Sequence, residues 1–281
     1  MTDTPTTASG RAVPAAQRLW ALGDYAHIAA LLSDLGRDLV AAAGIRPGQR
    51  VLDVGAGTGN ATLFAARAGA EVTAIDVTPQ LMEVGKRVAR AEHLRVRWIE
   101  GDVQALPFDD GEFDVVMSCI GAMFAPDHLT TARELLRVCR PGGRLAMANW
   151  ISGGAGGHFF RVLARHTPPP PPGGRTPVEW GDPAHVARLL GAGCAELSTA
   201  TRPVVARFDR SPQELIALYK AHFAPVIAAY AGTAGDAERT AALDADLLAF
   251  ARAADSGPAD GPHRYVFEYL QVTGVRAARC P

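Results

Sequence analysis

The chain has 281 residues, of which 28 are Lys or Arg and 29 are Asp or Glu, so its formal net charge is −1. A balance this even leaves no electrostatic footprint for nucleic acid or an anionic membrane surface, and the length suffices for one large α/β domain with insertions. No apolar run is long enough to span a bilayer, and residues 1–12 lack the basic start and apolar core of a signal peptide. The expectation is a cytoplasmic protein, monomer or homodimer, with a small-molecule substrate and no nucleic-acid or membrane partner. Cys119, Cys139, Cys194 and Cys280 stand apart from one another and from histidine, which supports neither a zinc site nor a disulfide framework. No metal is expected.

Residues 1–12 are rich in Thr, Ser and small residues and read as a disordered tail. Pro14 can start a helix, and residues 13–44 read as an N-terminal cap of two or three short helices broken near Gly23 and Gly36. Gly44 suits a helix C-cap, and Pro47-Gly48 turns the chain into a strand. That strand, Arg50 to Val54, breaks into Gly55-Ala56-Gly57-Thr58-Gly59. Glycines at alternate positions permit a tight turn and a close approach of backbone to ligand. The helix that follows offers free N–H groups to an anionic ligand group. Asn60 stands where a G-x-G-x-x-G dinucleotide loop would need its third glycine, and Asp53 lies inside the strand, where it must organise the loop through hydrogen bonds.

The stretch Val51-Leu52-Asp53-Val54-Gly55-Ala56-Gly57-Thr58-Gly59 resembles the first motif of class I S-adenosylmethionine-dependent methyltransferases. A second strand, Glu71 to Asp76, ends in an acid, and ligands in open parallel sheets bind beyond such ends. The resemblance implies that Asp76 accepts from both ribose hydroxyls, with Val77 beside it. Thr78-Pro79 opens a helix to about Ala91. After the third strand, Val96 to Glu100, Asp102 matches the family's acceptor for the adenine amino group and Val103 the backbone N–H that reads a ring nitrogen.

The fourth strand, Phe113 to Cys119, runs into Ile120-Gly121, and Ser118 and Cys119 would hold the cofactor's ammonium through their carbonyls. This end lacks both the prolines and aromatic of nucleobase methyltransferases and the acidic ligand of metal-dependent catechol-type enzymes. His128 reads as a solvated residue before a helix from Leu129 to Val138. Arg140-Pro141-Gly142-Gly143-Arg144, a further family hallmark, turns into the fifth strand, Leu145 to Trp150. Five strands alternating with helices give a doubly wound parallel sheet.

Gly153 to Gly157 reads as a hinge before a helix from His158 to His166, and Pro168 to Pro172 as a surface loop in the polyproline form. Asp182-Pro183 starts a helix to Leu190. Glu196 to Arg207 and Arg264 to Val275 read as strands six and seven, an antiparallel edge in the family. Between them Ser211-Pro212-Gln213-Glu214 is a capping box, and residues 211–256 form two helices over the catalytic face.

The expected fold is therefore α/β, a doubly wound, mostly parallel seven-stranded Rossmann-like sheet. Residues 45–210 would be the S-adenosylmethionine-binding core, 211–256 a helical lid, and 257–281 the last strand and C-terminus. The cofactor would be S-adenosyl-L-methionine, bound by Trp20, Tyr25, Asp53, Gly55, Gly57, Thr58, Gly59, Asp76, Val77, Asp102, Val103, Ser118 and Cys119. An aromatic face formed by Trp20 and Tyr25 can stabilise a sulfonium. The acceptor would be a small apolar or aromatic metabolite, as in the quinone-biosynthesis and natural-product branch. Tyr219 could face its polar atom, and Phe223 and Tyr230 would add to the lid's apolar wall. Tyr25, His128 and His222 are the catalytic candidates, with His27, His158, His166 and Tyr219 as further titratable groups. Two alternatives stay open: a nicotinamide-dependent oxidoreductase, disfavoured by Asn60 and Asp102, and a non-catalytic cofactor-binding protein.

Overall fold

The computed structural model describes residues 15–168, 175–208, 210–258 and 261–278. The expected tail at 1–12, Pro14, prolines 169–172 and Cys280 lie outside these residues. Seven strands among the described residues form one sheet: β1 (Arg50–Val54), β2 (Glu71–Asp76), β3 (Val96–Glu100), β4 (Phe113–Cys119), β5 (Cys139–Trp150), β6 (Cys194–Arg207) and β7 (Arg264–Arg276). Their order is β3-β2-β1-β4-β5-β7-β6. The first five are parallel, and β7 runs antiparallel to both β5 and β6.

Val51, Leu52 and Val54 of β1 and Val115, Val116 and Met117 of β4 are sealed from solvent, as parallel strands covered on both faces must be. The chain steps outward in opposite directions from these two central strands, which leaves a crevice beyond their C-terminal ends.

The cap consists of α1 (Ala15–Trp20), α2 (Ala26–Leu31) and α3 (Ser33–Ala43), the last closed by Gly44 at φ +59°. Crossover helices α4 (Asn60–Arg67), α5 (Pro79–Ala91) and α6 (His128–Val138) cover the sheet, joined later by α7 (Ala155–Ala164) and α8 (Pro183–Leu190). The stretch read as a glycine hinge is the entry to α7. Cβ atoms at Gly156 and Gly157 would lie 3.0 Å from the Trp150 ring and 2.4 Å from the Ile151 carbonyl oxygen, so these glycines serve close packing.

The insertion between β6 and β7 contains three helices rather than two: α9 (Pro212–His222), α10 (Ala224–Gly232) and α11 (Ala237–Ala254). Pro225 sits in the first turn of α10, which leaves α9 at an angle of 84°, and Asp236 caps α11 by accepting from the Arg239 N–H. Leu215, Ile216, Tyr219, Phe223, Leu243, Leu247 and Phe250 from these helices are buried in the same core as the sheet. The insertion is thus structural core as well as roof. Among the described residues no single helix is long and apolar enough to cross a membrane.

Candidate active site

The crevice holds a cavity of about 170 Å³ whose floor is the glycine loop. Gly55 stands at φ +66°, and a Cβ there would lie 2.8 Å from the Gly121 Cα, so the β1 and β4 turns pass each other at backbone distance. The Asp76 carboxylate ties the loop to β2. One oxygen accepts from the Gly57 N–H and the other from the Thr78 N–H, both at 2.8 Å. Burial raises its pKa while those two bonds oppose the shift. Each oxygen keeps a further lone-pair site, and Asp76 and Val77 both line the cavity.

Asp102 and Val103 line the same cavity beyond β3. Asp102 is exposed at the rim and accepts from the Gln104 backbone N–H at 2.9 Å and from its side-chain amide at 3.1 and 3.2 Å. The opposite wall is Cys119, Ile120 and Gly121. Ile120 has φ +53°, a conformation that disfavours a β-branched side chain, and its N–H donates to the Ala148 carbonyl at 2.9 Å. A strained residue thus forms part of the cavity wall.

The cap closes the top. Gln17 donates to Glu100 at 3.2 Å and Asn60 to the Ala29 carbonyl at 3.2 Å, which pins α1 and α2 across the crevice. Trp20 meets Phe124 at 4.9 Å and Tyr25 at 6.0 Å, and Tyr25 meets Phe223, at the junction of α9 and α10, at 5.9 Å. Tyr25, Leu32 and Trp150 are shared with a second, smaller chamber of about 40 Å³, walled also by Phe159, Phe160, Tyr219, Phe223 and Phe267. The helix α7 that supplies Phe159 and Phe160 was not read as part of the site, because its spacing marks only an apolar helix face.

Of the residues expected to bind cofactor, Trp20, Tyr25, Gly55, Gly57, Thr58, Asp76, Val77, Asp102, Val103 and Cys119 line the cavity. Asp53, Gly59 and Ser118 do not. Asp53 lies behind the loop, where it accepts from Thr62 Oγ1 at 2.6 Å, and burial lifts its pKa to about 7. Ser118 donates to the Val54 carbonyl and accepts from the Ala122 N–H, which locks the β1 and β4 ends together. Gly59, at φ +89°, is the N-cap of α4 and faces the Trp98 ring.

Two catalytic candidates lie elsewhere. His222 is partly exposed and stacks on His27 with ring centroids 4.1 Å apart, away from both chambers. His128 is 3% exposed rather than solvated, and its Nδ1 meets His185 Nε2 at 3.0 Å under Trp180. Arg188 donates to His185 Nδ1, so the proton between the two imidazoles belongs to His185 Nε2, which donates to His128. Burial and the neighbouring His185 push the His128 pKa down to about 4. Glu179 approaches the pair within 4.8 Å, but Thr176 and Arg175 occupy its carboxylate. Tyr230 also points away, donating to Asp244.

The glycine cradle and the two carboxylates at successive strand ends fit a nucleoside cofactor. Residues 51–143 match the family described as Methyltransferase domain. An uncharacterized protein of Mycobacterium tuberculosis is 42% identical over 251 residues, covering 89% of this chain and 91% of its own length. The demethylmenaquinone methyltransferase of Renibacterium salmoninarum is 41% identical over 114 residues, 41% of this chain and 46% of its own. The YcgJ protein of Bacillus subtilis, at 18% identity, superposes with a TM-score of 0.57 over 87% of this chain and 98% of its own and shares the fold. On the glycine motif and the match of residues 51–143 to the Methyltransferase domain family, the chain belongs to the S-adenosylmethionine-dependent methyltransferases.

Proposed function

We propose that this methyltransferase acts on a small, apolar or aromatic acceptor that enters the inner chamber beside the cofactor cleft. The observation that carries this reading is the wall shared by the two cavities: Tyr25, Leu32 and Trp150 border both, and the inner one has aromatic and aliphatic walls with no charged residue among those described. The demethylmenaquinone methyltransferase, whose name specifies an apolar ring substrate, agrees in kind over the shared segment.

When bound, S-adenosylmethionine supplies an electrophilic methyl group on a sulfonium. The chain's own residues would hold it as follows. Asp76 accepts from the ribose hydroxyls and Asp102 from the adenine amino group. The Val103 N–H would meet a ring nitrogen, and the Gly55–Thr58 backbone would hold the amino-acid portion. Trp20 and Tyr25 shield the sulfonium from water, and holding an acceptor in line supplies much of the rate. Burial, with the Cys119 thiol beside it, raises the Tyr25 pKa and so keeps its hydroxyl protonated at neutral pH. Among the described residues lining either chamber the only carboxylates are Asp76 and Asp102, and there is no imidazole.

The test is turnover of labelled S-adenosylmethionine against a panel of phenols, quinols, amines and charged metabolites. Calorimetry with S-adenosylhomocysteine and NAD runs in parallel. Methylation confined to apolar ring acceptors supports the reading. Turnover of charged metabolites alone refutes it, and binding of NAD instead of S-adenosylhomocysteine favours an oxidoreductase.

A further inference from the structure

The inner chamber contains polar groups that the fold itself leaves unused. Tyr219 is 6% exposed, yet its hydroxyl has no hydrogen-bond partner among the described residues, and the same holds for the Tyr25 hydroxyl. Both flank Phe223, at ring separations of 5.9 Å for Tyr25 and 5.4 Å for Tyr219, and both line the chamber, Tyr25 from the N-cap of α2 and Tyr219 from α9. A hydroxyl that bonds nothing in the fold and is not fully sealed off keeps its donor free for a ligand. Here two residues that line one chamber each carry such a group.

Resting on the methyltransferase reading, we propose that Tyr25 and Tyr219 form a two-donor site that holds the acceptor's oxygen as an oxyanion, a phenolate or an enolate. Three features select that chemistry. Among the described residues the walls offer no Lys, Arg or His to pair a full carboxylate or phosphate and no Asp or Glu to pair an ammonium. Among the described residues they hold no base for a neutral hydroxyl, which favours an acceptor that enters already ionised. Two phenol donors in apolar surroundings make charge-assisted bonds to such an oxygen. Burial keeps both tyrosines protonated, and the titratable groups facing them, Cys119 from β4 and Tyr265 from β7, are themselves held neutral by burial. The free space of about 40 Å³ admits the oxygen-bearing end of a small acceptor rather than a bulky polycycle. Tyr25 and Tyr219 are positioning residues for that oxygen.

The test uses the full chain saturated with S-adenosylhomocysteine. The probes are 4-nitrophenol, whose ionisation is read by absorbance, and 4-nitrotoluene, of the same shape without the hydroxyl. Bound 4-nitrophenol should ionise at lower pH than in water. Tyr219→Phe and Tyr25→Phe should each weaken phenolate binding about ten- to a hundred-fold. Neither should alter 4-nitrotoluene binding, and Tyr230→Phe, outside the chamber, should change nothing. Equal affinity of the wild-type chain for the two probes, or phenolate binding unaffected in both Phe variants, overturns the proposal. Calorimetry on the same samples separates the failures. S-adenosylhomocysteine binding without phenolate preference rejects only the tyrosine site, whereas its absence rejects the methyltransferase reading and this proposal with it.

Discussion

Asp53→Asn offers a quantitative check on how the glycine loop is supported. Asp53 is 1% exposed, Thr62 satisfies one carboxylate oxygen at 2.6 Å, and the other has no partner. Burial, reinforced by the charge of Asp76, lifts its pKa from 3.8 to about 7. Between those values the folded chain keeps a proton that the unfolded chain has lost. The stability contribution of this group is therefore complete below pH 3.8 and lost as the pH rises to about 7. A gap of about three pH units corresponds to about 4 kcal/mol, an upper limit for a group this buried. Asparagine keeps the acceptor for Thr62 and carries no charge, although its amide N–H inherits the unpartnered position at roughly 1–3 kcal/mol. That offset does not vary with pH. In urea titrations at closely spaced pH, the variant should gain on the wild type by up to about 4 kcal/mol between pH 4 and pH 8. A difference that stays flat within about 1 kcal/mol refutes the argument, since a shift of this size cannot hide within the usual extrapolation error. S-adenosylhomocysteine affinity should be unchanged, because Asp53 does not line the cavity.

Asp76→Ala should weaken S-adenosylhomocysteine binding by about 1.5–3 kcal/mol, the range for bonds to a charged group, and Asp102→Ala by less, because Asp102 is exposed. Calorimetry on folded variants decides, and a larger loss at Asp102 would reverse their assignment. Gly121→Ala places a Cβ 2.3 Å from the Gly55 carbonyl oxygen and should destabilise the chain by about 1–3 kcal/mol while weakening cofactor binding. A wild-type melting temperature would contradict that packing. His128, held neutral with a pKa of about 4 against 6.5 unfolded, contributes stability that is present above pH 6.5 and lost as the pH falls toward 4. The stability gap between wild type and His128→Gln should therefore narrow on acidification, as read by urea midpoints.

The cofactor half of the molecule was legible because each feature there is local. A strand, three alternating glycines and a strand-end acid recur within about thirty residues, and backbone geometry over that span follows from residue type. The structure puts β1, β2 and the Asp76 carboxylate where that pattern implies. The residues whose surroundings the sequence does not show share the opposite property. Nothing within a few positions of His128 signals that His185, 57 residues on, will take its Nδ1. Nor does the sequence near Ser118 show that its hydroxyl will reach Val54, 64 residues away.

The acceptor side shows the same divide more sharply. Tyr219 and Phe223 were readable as an apolar helix face, but that pattern is identical for a core and for a substrate wall. What separates the two is whether a neighbouring element fills the space. Here α7 brings Phe159 against Phe223, stacked at 5.4 Å, and Phe160 against Phe124 at 5.7 Å, yet a chamber remains between them and Tyr25. Aromatic rings from the cap, the β4 loop, α7 and α9 thus form one continuous contact path from the cofactor cleft to the insertion. Because the path crosses segments more than 190 residues apart in the chain, from Trp20 to Phe223, neither the cap nor the insertion can shift without disturbing the wall at Tyr25. If the chamber takes the acceptor as proposed, selectivity belongs to the assembled fold rather than to any one segment of it.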